Sequence, residues 1–81
     1  MTVTVRYFAG ARAAAGRSEE SLPHPGCLDE LVGALRDRHG PRLGAVLEVA
    51  SFLVDGLPWH DRRAPVPSGA TVDILPPFAG G

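Results

Sequence analysis

One amphipathic segment between two alternating segments restricts what this chain can fold into more than any other feature. The segment is "CLDELVGALRDRHG" at positions 27–40. Its large apolar residues recur at i, i+3, i+4 and i+7, the spacing of one stripe along a helix: Leu28, Leu31, Val32 and Leu35. Asp29 and Glu30 lie in the first turn, where the helix dipole favours acids, and Gly40 with Pro41 ends the segment. The pattern therefore predicts one main helix here.

Segments near both ends of the chain alternate with a period of two, as β-strands do. In "TVTVRYFA" (2–9) and "ATVDIL" (70–75), every second residue is β-branched or aromatic. The first segment carries apolar groups on both of its faces, which predicts a central strand that is covered on two sides.

Shorter elements are expected between these segments. The sequence predicts one or two helical turns at 10–16, a weak exposed strand at 17–23, a turn or short helix at 41–48, a strand at 49–56 that ends in an Asp55-Gly56 hairpin signal, and one short edge strand within 57–69.

This order of elements predicts an α+β fold with a four- to five-stranded sheet packed on one main helix. The chain is short enough for one domain, at 1–75, followed by an extended tail at 76–81. The expected core consists of apolar residues on the inner faces of these elements: Val5, Tyr7, Leu31, Val32, Leu35, Val54, Val72 and Ile74.

Composition excludes several classes of function. The formal net charge is -1, and no stretch is basic enough to predict binding to nucleic acid or to an anionic membrane. No apolar run approaches the roughly 18 residues of a membrane span. The start of the sequence lacks the pattern of a signal peptide, and one cysteine cannot form an internal disulfide. We therefore expect a cytoplasmic protein.

The chain shows no catalytic or metal-binding motif. His24, His39 and His60 are far apart in sequence and are interpreted as solvated residues of loops and a helix end, so we expect no bound metal or cofactor. Cys27, at the predicted helix start, is either an ordinary helix-start residue or a nucleophile with a lowered pKa. The complete absence of Lys reflects either codon usage or protection of an activated C-terminus from the chain's own amines.

The sequence "ILPPFAGG" at 74–81 is the strongest indication of function. Pro76 and Pro77 end strand pairing and stiffen the exit from the sheet. Six extended residues reach roughly 20 Å. Gly80 and Gly81 make the tip as thin as a polypeptide can be, so that it can enter a narrow pocket of another protein. A carboxylate is anionic at neutral pH and must be activated, for example as an acyl-adenylate, before it reacts.

Four segments carry a resemblance to a known family: "VRYFAGARAAAG", "CLDELVGALRDRHG", "FLVDG" and "ATVDILPPFAGG". Over its whole length the chain resembles the MoaD/ThiS family of ubiquitin-like sulfur carriers, and within that family the small subunits of molybdopterin synthases. The resemblance implies a β-grasp fold, with a mixed sheet around one helix.

The resemblance also implies a mechanism. A ubiquitin-activating-type adenylyltransferase would use ATP to adenylate Gly81, and a sulfur donor protein would then convert it to a thiocarboxylate. The tail would enter the large subunit of molybdopterin synthase, in a heterotetramer, and transfer its sulfur to a cyclic pterin phosphate precursor. The chain would not be an enzyme in isolation.

Several alternatives remain open at this point. Phe78 and Leu75 either anchor a partner or fold back onto the domain's own core, and Arg12 either pairs with an acid of the activating enzyme or is solvated. The protein could instead carry sulfur for thiazole, cysteine or a sulfur-containing natural product. It could also be a β-grasp interaction module whose tail only docks.

Overall fold

A computed structural model describes residues 1–77 of the chain. In order, its elements are β1 (Thr2–Tyr7), α1 (Gly10–Ala15), β2 (Glu19–Pro23), α2 (Leu28–His39), α3 (Pro41–Val49), β3 (Ser51–Val54), β4 (Leu57–Pro58) and β5 (Thr71–Leu75). The main helix and the strands lie where the sequence predicts them. The undecided segment at 41–48 belongs to the helix α3.

The five strands form one mixed sheet in the order β2-β1-β5-β3-β4. β1 runs parallel to β5, with Tyr7 opposite Ile74, while the other neighbouring pairs are antiparallel. β5 therefore lies at the centre of the sheet, between β1 and β3, although it is the last strand in the sequence. The predicted α+β architecture is confirmed.

The core lies between the sheet and the helices. All eight residues predicted to be core are buried, and Leu28, Leu43, Leu47 and Phe52 join them in one cluster. Leu31 and Leu35, on the inner stripe of α2, are completely buried. The helical spacing of the stripe thus places these side chains against the alternating inner residues of the strands.

Only one face of β1 is covered, so the prediction of cover on both sides is wrong. Val3, Val5 and Tyr7 are buried, whereas Arg6 on the opposite face is exposed and Thr4 is half-buried. The helices contribute their buried residues to one and the same core cluster. Because β1 has a neighbouring strand on each side, it is central within the sheet without being buried on both faces.

The first turn of α2 is capped by the backbone of a distant loop. Cys27, at the N-cap position, is extended, and no side chain there makes a capping hydrogen bond. Instead, the amide of Asp29 donates to the carbonyl oxygen of Arg62 at 3.1 Å. Cys27 also forms an isolated β-bridge with Pro65. This contact ties the start of α2 to the loop that leads into β5.

The predicted hairpin turn joins β3 to β4. Asp55 and Gly56 both have positive φ, 49° and 83°, which is the combination that a tight hairpin turn requires. The Asp55 side chain accepts a hydrogen bond from the amide of Thr71 at 2.9 Å, and the Asp55 amide donates back to the Thr71 carbonyl oxygen at 2.8 Å. The turn thereby holds the start of β5.

Candidate functional site

The root of the C-terminal tail lies at one end of the central strand. β5 ends at Leu75, which faces Ser51 of β3 and is followed by two prolines that lack a backbone donor. On the other side, the amide of Phe8 donates to the carbonyl oxygen of Ile74 at 3.3 Å. We call residues 74–77 the tail root. The end of β5 therefore lies between two neighbouring strands, β1 and β3.

The structure places four of the predicted site residues at or near the tail root. Leu75 and Pro76 are half-buried, Pro77 is exposed, and Arg12 is exposed on α1. The predicted residues Phe78, Gly80 and Gly81 lie outside the described residues. Because Leu75 is half-buried, part of its side chain is accessible. This is compatible with an anchor for a partner and with packing on the domain's own core.

A shallow cleft of about 200 Å³ lies beside the tail root. Its walls come from β1, α1 and the segment before β2: Arg6, Tyr7, Phe8, Arg12, Ser18 and Glu19. Phe8 is half-buried and Arg12 exposed, so an apolar ring and a cation border the same depression. The cleft therefore brings Arg12 close to β1, the strand that pairs with β5 as far as Ile74.

An ion pair on the outer face of the sheet stands next to this cleft. The guanidinium of Arg6 donates two hydrogen bonds to Asp73, from Nε to Oδ1 at 2.6 Å and from the terminal nitrogen to Oδ2 at 2.8 Å. Its central carbon also lies 5.6 Å from the centre of the Phe8 ring. The hydrogen bond and the charge of Asp73 raise the pKa of Arg6. This bidentate pair joins β1 to β5 two residues before Leu75.

A second, buried carboxylate lies behind the cleft. The side chain of Glu20 is only 2% exposed and accepts hydrogen bonds from Tyr7 Oη and from His39 Nε2, each at 2.5 Å. Arg38 and Arg17 approach the other oxygen, Oε1, at 3.4 Å and 3.7 Å. Glu20 thus links β1, β2, the last turn of α2 and the segment after α1.

The environment of Glu20 changes the pKa values of two groups. Burial by itself would raise the pKa of Glu20, but the hydrogen bonds from Tyr7 and His39 and the charges of His39 and Arg38 outweigh it and lower that pKa. Burial, the hydrogen bond to Glu20 and its charge raise the pKa of Tyr7. Glu20 is therefore an anion and Tyr7 a neutral donor at neutral pH.

Of the three histidines interpreted as solvated residues, His24 and His60 are exposed, whereas His39 is not. His39 is largely buried, since its side chain is 14% exposed, and it binds Glu20. His24 contacts the carbonyl oxygen of Val66 through Nε2 at 2.5 Å, and only His60 is exposed without a side-chain contact in the described part of the chain. The prediction failed for His39 because its partner lies on a different element, 19 residues away in sequence.

Residues 1–77 offer no group of three or more His, Cys, Asp or Glu that could hold a metal ion. Cys27 is a half-buried free thiol. A second cleft, of about 370 Å³, lies along β3 and β4 and is lined by Phe52, Trp59 and Arg62 among others. In the same part of the chain, no helix has both the length and the apolar character to cross a membrane.

Sequence reasoning missed the two buried carboxylates. For Glu20 a signal was present, because it lies two positions before Leu22 in a strand and must therefore share its inner face. For Asp73 the signal was weaker: a single acid in the last strand and a single Arg in the first strand, 67 positions apart. The partners of Glu20 and of Asp73 could not be assigned until the strand order was known.

Known structures resemble this one over nearly its full length. A putative molybdopterin converting factor subunit 1 from Pyrococcus furiosus matches with a TM-score of 0.80 and 24% identity, covering 96% of this chain and 99% of its own. Subunit 1 and 2 of the molybdopterin-converting factor from Helicobacter pylori form a complex, and a chain of it matches with a TM-score of 0.74 and 23% identity, covering 100% of both chains.

A third neighbour is small archaeal modifier protein 1 from Methanosarcina acetivorans. It matches with a TM-score of 0.84 and 24% identity, covering 99% of this chain and 96% of its own. A search of curated protein sequences finds no match. At these levels of identity the structural neighbours show the fold alone, and that fold is the ubiquitin-like β-grasp expected from the resemblance.

The sequence comparison is more specific than the structural one. The model of the ThiS family matches residues 5–81, which include the strand that carries the tail and the two glycines at its tip. The mixed sheet, the main helix and the position of the tail root agree with this match. The chain belongs to the ThiS family of ubiquitin-like proteins.

Proposed function

We propose that this protein is a sulfur carrier whose C-terminal carboxyl group, on Gly81, is the reacting group. A ubiquitin-activating-type adenylyltransferase first joins the carboxylate to AMP, with ATP as the co-substrate and pyrophosphate as the leaving group. A sulfur donor protein then supplies sulfur, the bond to AMP breaks, and Gly81 becomes a thiocarboxylate. The carrier binds no cofactor of its own in this scheme, and ATP belongs to the activating enzyme.

We further propose that the loaded protein acts as the small subunit of a molybdopterin synthase. The tail enters the large subunit and transfers sulfur to a cyclic pterin phosphate precursor, which yields the dithiolene that binds molybdenum. The assembly is a heterotetramer of two small and two large subunits. The Helicobacter pylori neighbour, a complex of subunits 1 and 2 of a molybdopterin-converting factor, supports a partner of this kind.

The observation that carries the proposal is the family match through residue 81. The geometry of the described residues adds a physical reason why the tail can serve as the reacting part. Because β5 is the central strand and is held by β1 and β3, the tail leaves a rigid point of the domain. A partner that binds beside the tail root would therefore contact the point from which the tail begins.

Three residues are proposed to recognise the partners. Leu75 and Phe78 would present apolar side chains to the large subunit on either side of the two prolines. Arg12, exposed beside the cleft, would pair with an acid of the activating enzyme. These contacts surround the tail root, so the same end of the molecule would be used by each partner in turn.

A reconstituted reaction tests the proposed pathway. The thiocarboxylated protein is purified and mixed with the large subunit and the pterin precursor, and the formation of the dithiolene is followed. The proposal predicts transfer of sulfur to the pterin. Loading without this transfer, together with efficient transfer to a thiazole or cysteine precursor, would instead identify a carrier of another pathway.

The likeness to a small archaeal modifier protein favours a second candidate, in which the activated C-terminus is joined to another protein. The two candidates differ in their products. Expression with the activating enzyme should give covalent protein conjugates for a modifier and a sulfur-loaded free chain for a carrier. A protein that shows neither product would be an interaction module whose tail only docks.

A further inference from the structure

The cleft along β3 and β4, which we call the β3 cleft, adjoins the tail root. Its volume of about 370 Å³ is within the range of ligand pockets. Ser51, which lines it, is the register partner of Leu75, and Phe52 is that of Ile74. Neighbouring strands lie about 5 Å apart. A partner protein seated on the tail root therefore needs to extend by only one strand to reach this cleft.

The walls of the β3 cleft are mostly apolar. The rings of Phe52 and Trp59 line it, together with the side chains of Leu53 and Pro58. At the end of α3, next to a residue that also lines the cleft, Val49 is a large apolar residue that is 63% exposed. An apolar cleft bordered by an exposed apolar side chain is typical of a surface that binds another molecule.

One wall of the cleft contains a hydrogen-bond donor without an acceptor. The indole Nε1 of Trp59 is buried from solvent and makes no hydrogen bond within residues 1–77. The residue itself is held in place, because its amide donates to the carbonyl oxygen of Phe52 at 2.9 Å and its ring packs against the core. A buried donor without an acceptor is destabilising and is rare in folded proteins. A bound molecule that offers an acceptor to this N–H would remove that cost.

Arg62 places a positive charge in the same cleft. It is half-buried, its guanidinium carbon lies 5.0 Å from the centre of the Phe52 ring, and a terminal nitrogen donates to the carbonyl oxygen of Leu47 at 3.2 Å. None of the ion pairs found in the described part of the chain involves Arg62. The adjacent acid, Asp61, instead accepts a hydrogen bond from the amide of Arg63. The cleft thus contains a fixed cation without a carboxylate partner among the described residues.

We propose that the β3 cleft is the docking site for a segment of a partner protein in which an apolar side chain lies next to an acidic one. The apolar side chain covers the rings of Phe52 and Trp59. The carboxylate accepts hydrogen bonds from Arg62, and an oxygen of the segment accepts the hydrogen bond of the indole. None of the described residues that line the cleft is acidic, so charge complementarity favours an anion. Only the identity of the partner, a protein that receives the tail, rests on the proposed function.

The openness and the position of the cleft favour a protein segment over a free small molecule. Three of its lining residues, Ser51, Pro58 and His60, are exposed, so one side of the cleft is open to solvent. Small-molecule sites bury most of the ligand surface, whereas protein segments bind in open grooves. The neighbouring tail root is the part of the domain that a partner must approach to receive the tail.

The indole signal of Trp59 provides the test, because Trp59 is the one tryptophan of the 81 residues. The isotope-labelled full chain is titrated with a six-residue peptide of alternating leucine and glutamate, blocked at both ends, and followed by proton–nitrogen correlation spectra. We expect the indole proton to move downfield and to saturate at millimolar peptide, since the N–H gains an acceptor. The same peptide with glutamine in place of glutamate should bind about tenfold more weakly.

Two variants test the cation and the cleft separately. Arg62→Gln removes the charge, and Ser51→Glu adds an acid at an exposed position of the cleft. Each should weaken binding of the acidic peptide about tenfold. Arg42→Gln is the matched control, because it removes the same charge at the other end of α3, about 12 Å from Ala50. It should change the affinity by less than about twofold, since charges at that distance are screened by salt.

Circular dichroism confirms that each variant is folded, and Ser51→Glu keeps the contacts of Arg62 if Arg62→Gln does not fold. A Trp59 signal that does not move, or equal binding of the glutamine peptide, would overturn the inference. Equal losses for Arg62→Gln and Arg42→Gln would overturn it too, because a general charge effect would then explain both. Butyrate that bound as tightly as the peptide would show a site for small anions instead of a protein segment.

This measurement uses no activating enzyme and no large subunit, so its failure is distinct from a failure of the proposed function. A chain that binds the acidic peptide as expected but never gains sulfur at Gly81 would retain the docking site. It would lose only the assignment of the partner as a protein that receives the tail. A chain that loads normally but does not bind the peptide would retain the proposed function and overturn the docking site.

Discussion

At the scale of single residues, Glu20 links four segments of the fold. It is a buried acid on a strand at the edge of the sheet, and it is paired with groups from three other parts of the chain. We expect Glu20→Gln to lower the free energy of unfolding by about 2–3 kcal/mol, because charged hydrogen bonds are lost while the half-exposed arginines contribute little. Urea denaturation measures the change.

Glu19→Gln is the matched control for this substitution. Glu19 is the preceding residue on the same strand, but its side chain is exposed. Its replacement should change the free energy of unfolding by less than about 0.5 kcal/mol. If both variants lost the same stability, the buried position of Glu20 would not be the cause.

Glu20 also predicts how stability depends on pH. Its pKa is lower in the folded chain than in the unfolded chain. Its contribution is therefore complete above the unfolded pKa, about 4.3, and is lost as the pH falls through the folded pKa. The unfolding free energy of Glu20→Gln should depend less steeply on pH in this acid range than that of the native chain. If the unfolding free energies of the native chain and of Glu20→Gln depended equally steeply on pH in this range, another carboxylate would dominate the loss of stability in acid.

At the scale of elements, local patterns predicted the helices and strands well. The stripe of α2 and the alternation of β1 and β5 depend on residues a few positions apart, so they can be read without knowing the fold. The pairs Arg6–Asp73 and His39–Glu20 join different elements and follow from strand order and helix packing. Whether the outer face of β1 is covered also depends on how the other elements pack, so the local pattern predicted that face wrongly.

Substitutions at two glycines test the backbone conformations assigned to α2 and to the turn before β5. An added Cβ would meet nothing within 4 Å at either Gly33, in α2, or Gly69, before β5. We expect Gly33→Ala to raise the free energy of unfolding by about 0.5–1 kcal/mol, since alanine favours the helix. Gly69→Ala should lower it by about 1–2 kcal/mol, because its φ of +80° disfavours any side chain. Shifts of the same sign would contradict this assignment.

The tail is tested as an element by Phe78→Ala. If Phe78 anchors the large subunit, its replacement should weaken that complex by about 2 kcal/mol or more while leaving the folding of the domain unchanged. Leu57→Ala is the control, because Leu57 is an exposed apolar residue at the hairpin, away from the tail root. Calorimetric titration with the large subunit measures both. Equal affinities for native and Phe78→Ala proteins would remove Phe78 from the interface.

At the scale of the whole molecule, the topology determines where chemistry can occur. The parallel pairing of β1 with β5 brings the first and last strands together at the centre of the sheet. The tail root, the Arg12 cleft and the two buried carboxylates consequently lie at one end, while Cys27 lies at the other. The sequence predicted the tail and its prolines from local residues, but the grouping of Arg6, Arg17 and Arg38 around the two buried carboxylates depended on the topology.

The mass of the intact protein after expression with its activating enzyme and sulfur donor tests the central claim most directly. The account predicts that the full chain gains the mass difference of sulfur replacing oxygen, and that tandem mass spectrometry locates it at Gly81. Cys27→Ser should load equally well, and a chain without Gly81 should not load at all. A Gly81-deleted protein that still gains this mass, or sulfur located on Cys27, would contradict the account.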